Sequence, residues 1–142
     1  MLLPITVFIA DDDTDDQFFF EQALKELCAE CTLNMSFDGE ELINKIQKLL
    51  PVLPDLIILD INMPKVNGLQ ALSLIRANPA FSRVPVIIYS TTGNPATIKQ
   101  AYESGANFYL RKPRSFIGLK EEIQHIFEDH LLHKGNTSLS EE

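Results

Sequence analysis

The stretch Asp55-Leu56-Ile57-Ile58-Leu59-Asp60-Ile61-Asn62-Met63-Pro64 decides the fold. Its aliphatic run carries no polar alternation, the pattern of a strand buried on both faces in a parallel sheet between two helix layers. An aspartate arrives where the run stops, and Asn67-Gly68 then introduces a helix. The same order recurs on either side. Thr6-Val7-Phe8-Ile9-Ala10 runs into Asp11-Asp12-Asp13, residues 84–90 end in a serine, and residues 107–111 deliver Lys112-Pro113. The carboxyl ends of parallel strands share one edge of the sheet, and ligands bind in the crevice there. Asp11, Asp12, Asp60, Ser90, Thr91 and Lys112 therefore predict an acidic pocket closed by one ammonium, suited to a divalent cation and a phosphoryl group.

Strand-like runs at 4–10, 32–37, 56–60, 84–90 and 107–111 alternate with helical patterns. The second run is short and polar, which suits a sheet edge. Thr14 with Gln17 has the form of a capping box, and Phe20, Leu24 and Leu27 mark one face of the helix that follows. Asp38 with Glu41 opens a second helix with Leu42, Ile43, Ile46, Leu49 and Leu50 at helical spacing, stopped by Pro51 and Pro54. A third starts after Asn67-Gly68 and turns Leu69, Leu72 and Ile75 inward until Pro79. Asn94-Pro95 starts a fourth, which ends at Gly105, and Ser115 caps a fifth with Leu119, Ile123, Ile126 and Phe127 inside. Such alternation implies right-handed crossovers and a doubly wound α/β fold. Residues 1–134 are expected to form one domain, and 135–142 a disordered tail. Asn136-Thr137-Ser138 matches a glycosylation pattern by chance in a chain expected to stay in the cytosol.

The 142 residues suit a single core, with 45% hydrophobic residues. Twelve Lys and Arg stand against 20 Asp and Glu, a formal charge of −8. That balance argues against nucleic acid, which basic patches recognise. Much of the excess lies in Asp11, Asp12, Asp13, Asp15 and Asp16, a cluster that repels itself unless a cation or ammonium sits within it. No apolar run reaches the ~20 residues of a membrane span. The first ten residues lack the basic start of a secretory signal. A cytoplasmic protein is expected.

The residues also have plainer readings. Asp13 and Thr14 suit helix caps. Asp11-x-Asp13-x-Asp15 resembles a calcium loop, but its sixth position is Asp16 instead of Gly and its twelfth is Gln22 instead of Glu. Cys28 and Cys31, a C-x-x-C at the end of a helix, are expected as reduced structural thiols. Zinc held by Cys28, Cys31, His130 and His133 is the exotic alternative.

From about Ile5 to His130 the chain resembles the receiver domains of two-component response regulators. The resemblance rests on Asp11-Asp12, Asp60-Ile61-Asn62-Met63-Pro64 with Gly68, Ser90-Thr91, Gly105-Ala106 and Lys112-Pro113, in that order. It implies a flavodoxin-like five-stranded sheet in the order 2-1-3-4-5, with Asp60 as the phosphoacceptor. It further implies magnesium on Asp12, Asp60 and the backbone carbonyl of Asn62, with Asp11 acting through water. Ser90 becomes the switch hydroxyl, Tyr109 the switch aromatic and Lys112 the family's lysine, its bond to Pro113 cis. Asn62 and Thr92 take positions that tune phosphoryl lifetime in the family. The implied partners are a histidine kinase or phosphotransfer protein and a downstream effector.

Signalling would pass through the surface of the fourth helix, fifth strand and fifth helix, where Lys99, Tyr102 and Arg111 could also support a homodimer. No appended output segment is expected, and the only chemistry would be the domain's own phosphorylation and dephosphorylation. A phosphorylation-independent adaptor would more usually have lost the acids or the lysine. A metal-dependent phosphohydrolase of the haloacid dehalogenase kind would want an acid where Asn62 stands.

Overall fold

The computed structural model describes residues 4–131. Strands β1 (Thr6–Ala10), β2 (Thr32–Ser36), β3 (Leu56–Leu59), β4 (Val86–Ser90) and β5 (Phe108–Arg111) form one sheet in the order β2-β1-β3-β4-β5. Every adjacent pair is parallel. Helices α1 (Thr14–Leu27), α2 (Gly39–Leu49), α3 (Gly68–Ala77), α4 (Pro95–Glu103) and α5 (Phe116–Ile126) alternate with the strands. The polar β2 is an edge strand, as its composition suggests, and β5 is the other edge.

Side chains of successive strand residues point to opposite faces, so each buried strand feeds two cores. On one face Val7, Ile9, Ile58 and Ile87 meet Phe20 and Leu24 of α1 and Leu119 and Ile123 of α5. On the other, Phe8, Ile57, Leu59 and Ile88 meet Leu42 and Ile46 of α2, Leu72 and Ile75 of α3, and Ala101 of α4. Burying β3 on both sides is what the unbroken run Leu56-Ile57-Ile58-Leu59 demands.

The helix starts follow their capping residues with one shift. Asp13, not Thr14, caps α1: its carboxylate accepts from the Asp16 amide, and Thr14 is already helical. The Asp13 carboxylate reaches the third helical amide while its own backbone stays extended. Asp38, Asn94 and Ser115 cap α2, α4 and α5 as expected. Asn67 and Gln70 form a reciprocal capping box on α3. A 3-10 turn at Pro79–Phe81 follows α3, and a π-helical turn at Phe127–Leu131 extends α5. Leu49 departs from its expected inward place and is 44% exposed on the last turn of α2.

Three further expectations meet the structure here. Cys28 and Cys31 are joined in a disulfide and are not reduced thiols. The chain leaves α1 in extended conformation at Cys28 and turns back, leaving the two Cα atoms 5.4 Å apart, within bridging reach. That pairing removes two thiolates from the zinc alternative; His130 instead stacks on Phe108, and His133 lies outside the described residues. Lys112–Pro113 is trans, the cis X-Pro bond among the described residues being Leu50–Pro51. The expected tail at 135–142 also lies outside the described residues.

Candidate functional site

The register of the sheet builds the site. Pairing of Ala10 with Leu59 makes Asp11 and Asp60 emerge side by side, and Ser90 lies opposite Arg111 one residue before Lys112. The ladder continues past the strands: the Asp60 amide donates to the Ala10 carbonyl at 2.9 Å, and the Lys112 amide to the Ser90 carbonyl at 2.8 Å. Backbone hydrogen bonds thus fix the roots of Asp60 and Lys112. Gly68 matters for a different reason. A Cβ there would collide with the backbone carbonyl of Asp60, so the start of α3 lies directly against the acidic residue.

Oxygen atoms of Asp11, Asp12 and Asp60 lie within 4.8 Å of one another. Asp11 and Asp60 are buried and Asp12 is exposed. The Lys112 ammonium faces them, 2.8 Å from Asp11 Oδ2 and 3.3 Å from Asp60 Oδ2, and 5.1 Å from the centre of the Tyr89 ring. Burial raises the Asp11 carboxyl to about 7, against the pull of Lys112. Burial opposes the Lys112 charge too, but its close pairing with the Asp11 and Asp16 carboxylates outweighs it and holds the lysine above its ordinary range. Asp11 Oδ2 has the Lys112 ammonium 2.8 Å away as its charged partner. Three converging carboxylate oxygens suit a hard divalent cation. The cluster can hold such a metal.

Residues 7–124 match the response regulator receiver domain. The chain belongs to that family. It is 33% identical over 121 residues to Protein RcaC of Microchaete diplosiphon, covering 85% of this chain and 18% of RcaC, so it spans less than a fifth of that relative. It is 29% identical over 127 residues to Response regulator Rcp1 of Synechocystis, covering 87% of this chain and 86% of Rcp1. The fold superposes on the phosphorylated cyanobacterial phytochrome response regulator RcpA with a TM-score of 0.82 at 27% identity, covering 91% and 95% of the two chains. On the Mn(2+)-bound form of Rcp1 the TM-score is 0.78 at 28% identity, covering 89% and 94%.

Other expected residues of this receiver domain spread around the cluster. Ser90 is fully buried at the end of β4, and its hydroxyl accepts from the Thr92 amide at 3.3 Å. Thr91 is exposed, its carbonyl accepting from Arg111 Nε at 3.3 Å. Asn62 sits on an exposed turn two residues beyond Asp60. Tyr109 is turned inward at 7% exposure, and its hydroxyl donates to the Thr92 carbonyl at 2.7 Å. Burial raises its pKa. Tyr102, exposed on α4, reaches across to accept the Tyr109 amide at 3.1 Å.

Two site residues escaped the sequence reading. Asp16 bonds Lys112 at 2.7 Å, the shortest of its three carboxylate contacts. Its only advance signal was membership of an aspartate cluster in need of a counter-charge. Gln17 is buried, and its Nε2 donates to the carbonyls of Asp11 (3.1 Å) and Ser36 (2.8 Å), tying β1 to β2 beneath the acids. A polar residue on an inward helical position was the signal, obscured by reading it as a capping-box partner.

Proposed function

We propose that this domain is a phosphoacceptor in two-component signalling, taking a phosphoryl group on Asp60 with Mg2+ bound beside it. The observation that carries the reading is the meeting of Asp11, Asp12 and Asp60 oxygens within 4.8 Å, with the Lys112 ammonium 3.3 Å from Asp60. Asp12, Asp60 and the Asn62 carbonyl would hold the cation, with Asp11 positioning a water. Bound Mg2+ neutralises the incoming phosphoryl oxygens. A carboxylate oxygen of Asp60 attacks phosphorus, the phosphorus–nitrogen bond of a phosphohistidine breaks, and the imidazole departs with that electron pair. Lys112 stabilises the charge that develops, and the hydroxyls of Ser90 and Thr91 lie at the next strand end to receive a phosphoryl oxygen.

The donor is a histidine kinase or a phosphotransfer protein, and the recipient of the signal is an effector protein. Output runs through α4, β5 and α5, where Ser90 and Tyr109 share Thr92 as a hydrogen-bond neighbour and so respond together to a new dianion. Lys99, Tyr102 and Arg111 on that surface also offer a homodimer contact. Turnover of a separate substrate has no part in this reading, and the setting is cytoplasmic. With acetyl phosphate and Mg2+, intact mass spectrometry is expected to show one added phosphoryl group on wild type and none on Asp60→Asn. Equal labelling of both, or steady multiple turnover on small phosphoesters, would overturn it.

A further inference from the structure

Lys112 is shared among three carboxylates, and they are not equivalent. Asp11 and Asp60 belong to the metal-holding cluster, whereas Asp16 projects from the first turn of α1 and meets the ammonium at 2.7 Å. Asp16 is the one acid among the residues lining the cleft outside the lysine, with Thr91, Arg111, Lys112, Pro113 and Arg114. The Lys112 side chain is only 8% exposed, so water alone cannot replace a lost partner. Its root is fixed by the β4–β5 ladder, and the Asp16 backbone is fixed by the Asp13 cap at 3.0 Å.

A cation entering the cluster must engage the oxygens that the ammonium now faces, Asp60 directly and Asp11 through a water. Resting on the metal reading of the site given above, we infer that Asp16 is a positioning residue that keeps Lys112 paired when a divalent cation takes those oxygens. With Asp16 present the ammonium gives up two partners and retains its closest. Without it, the lysine has among the described residues no carboxylate within ion-pair reach except the two that the cation engages, and it competes for them.

The test is calorimetric titration of Mg2+ into the metal-free chain, comparing wild type, Asp16→Asn and Asp15→Asn. Asp15 is exposed on the same helical turn and carries the same charge, so its variant measures the general loss of a negative charge. Asp16→Asn is expected to raise the Mg2+ dissociation constant roughly tenfold, the scale of coupling within one ion-pair network, and Asp15→Asn far less. In a Lys112→Ala background Asp16→Asn should weaken binding no more than Asp15→Asn does. Asp16→Ala, checked for cooperative unfolding, repeats the comparison with a different side chain. Equal effects of Asp16→Asn and Asp15→Asn with the lysine present, or an Asp16 effect that survives its removal, would overturn the inference. A wild type that takes up no Mg2+ would refute the metal reading itself.

Discussion

Asp11 is the residue whose chemistry is most altered by its surroundings. Its carboxyl is fully buried and raised to about 7 from an ordinary 3.8. The folded, metal-free protein therefore holds a proton on Asp11 between about pH 4 and 7 that the unfolded chain has released. Stability linked to this group must fall as pH rises across that window, by at most about 1.4 kcal/mol per pH unit for one proton. Above pH 7 both states are ionised and the loss is complete. Urea unfolding in EDTA is expected to show Asp11→Asn gaining on wild type as pH rises from 5 to 8. A difference that stays constant or reverses would contradict this. The raised pKa of Lys112 does not intrude, since its contribution is fully present until the pH exceeds the ordinary lysine range, and is lost only above that. That an aspartate would stand at this strand end was legible from the sequence; that its carboxyl would be fully buried was not, because its surroundings include Asp60, Lys112 and the end of β2, from distant parts of the chain.

The elements are held at the functional edge by ties that local patterns do not announce. Arg76, in the last turn of α3, spreads its guanidinium over three acceptors: the Gly105 carbonyl at 2.9 Å, the Phe81 carbonyl at 2.9 Å and Asn107 Oδ1 at 2.8 Å. Asn107 Oδ1 also accepts the Val86 amide at 2.8 Å, so the arginine couples α3 to the starts of β4 and β5. Gly105 makes the approach possible: its φ is +107°, and a Cβ there would press on the Arg76 side chain. Arg76→Ala is expected to cost about 1–3 kcal/mol in urea unfolding, since it removes the three hydrogen bonds that tie α3 to the starts of β4 and β5. Arg76→Lys should recover less than half, because an ammonium cannot reproduce a planar fork. A loss below ~0.5 kcal/mol, the scale of an ordinary surface change, would contradict the role. In the sequence Arg76 is one cation in an amphipathic helix, and nothing nearby marks its targets 29 and 31 residues away. By contrast, Asn67-Gly68, Asn94-Pro95 and Ser115 state their helix starts locally, and those were legible.

At the scale of the molecule, the parallel sheet between two helix layers follows from apolar runs that demand two buried faces, with a polar run left for one edge, while the strand order was what the family resemblance implied. The acidic edge was legible for the same reason: Asp11 and Asp60 are the first charged residues where β1 and β3 stop, Ser90 closes β4, and Lys112 follows Arg111 at the end of β5. Which carboxylate the lysine prefers was not, because Asp16 reaches it across 96 residues of chain. Nor was the Cys28–Cys31 bridge, since expected compartment argued for thiols while the turn after α1 sets the sulfurs together. The convergence of three acids and one ammonium at a single edge is the feature on which the proposed chemistry stands. A crystal structure of the protein with Mg2+ and beryllium trifluoride, a phosphoryl mimic, tests it most directly. The expected result places the trifluoride on Asp60 with Lys112 and Ser90 facing its fluorines, and the cation on Asp12, Asp60 and the Asn62 carbonyl. A mimic bound elsewhere, or a cation that leaves Asp60 untouched, would contradict it.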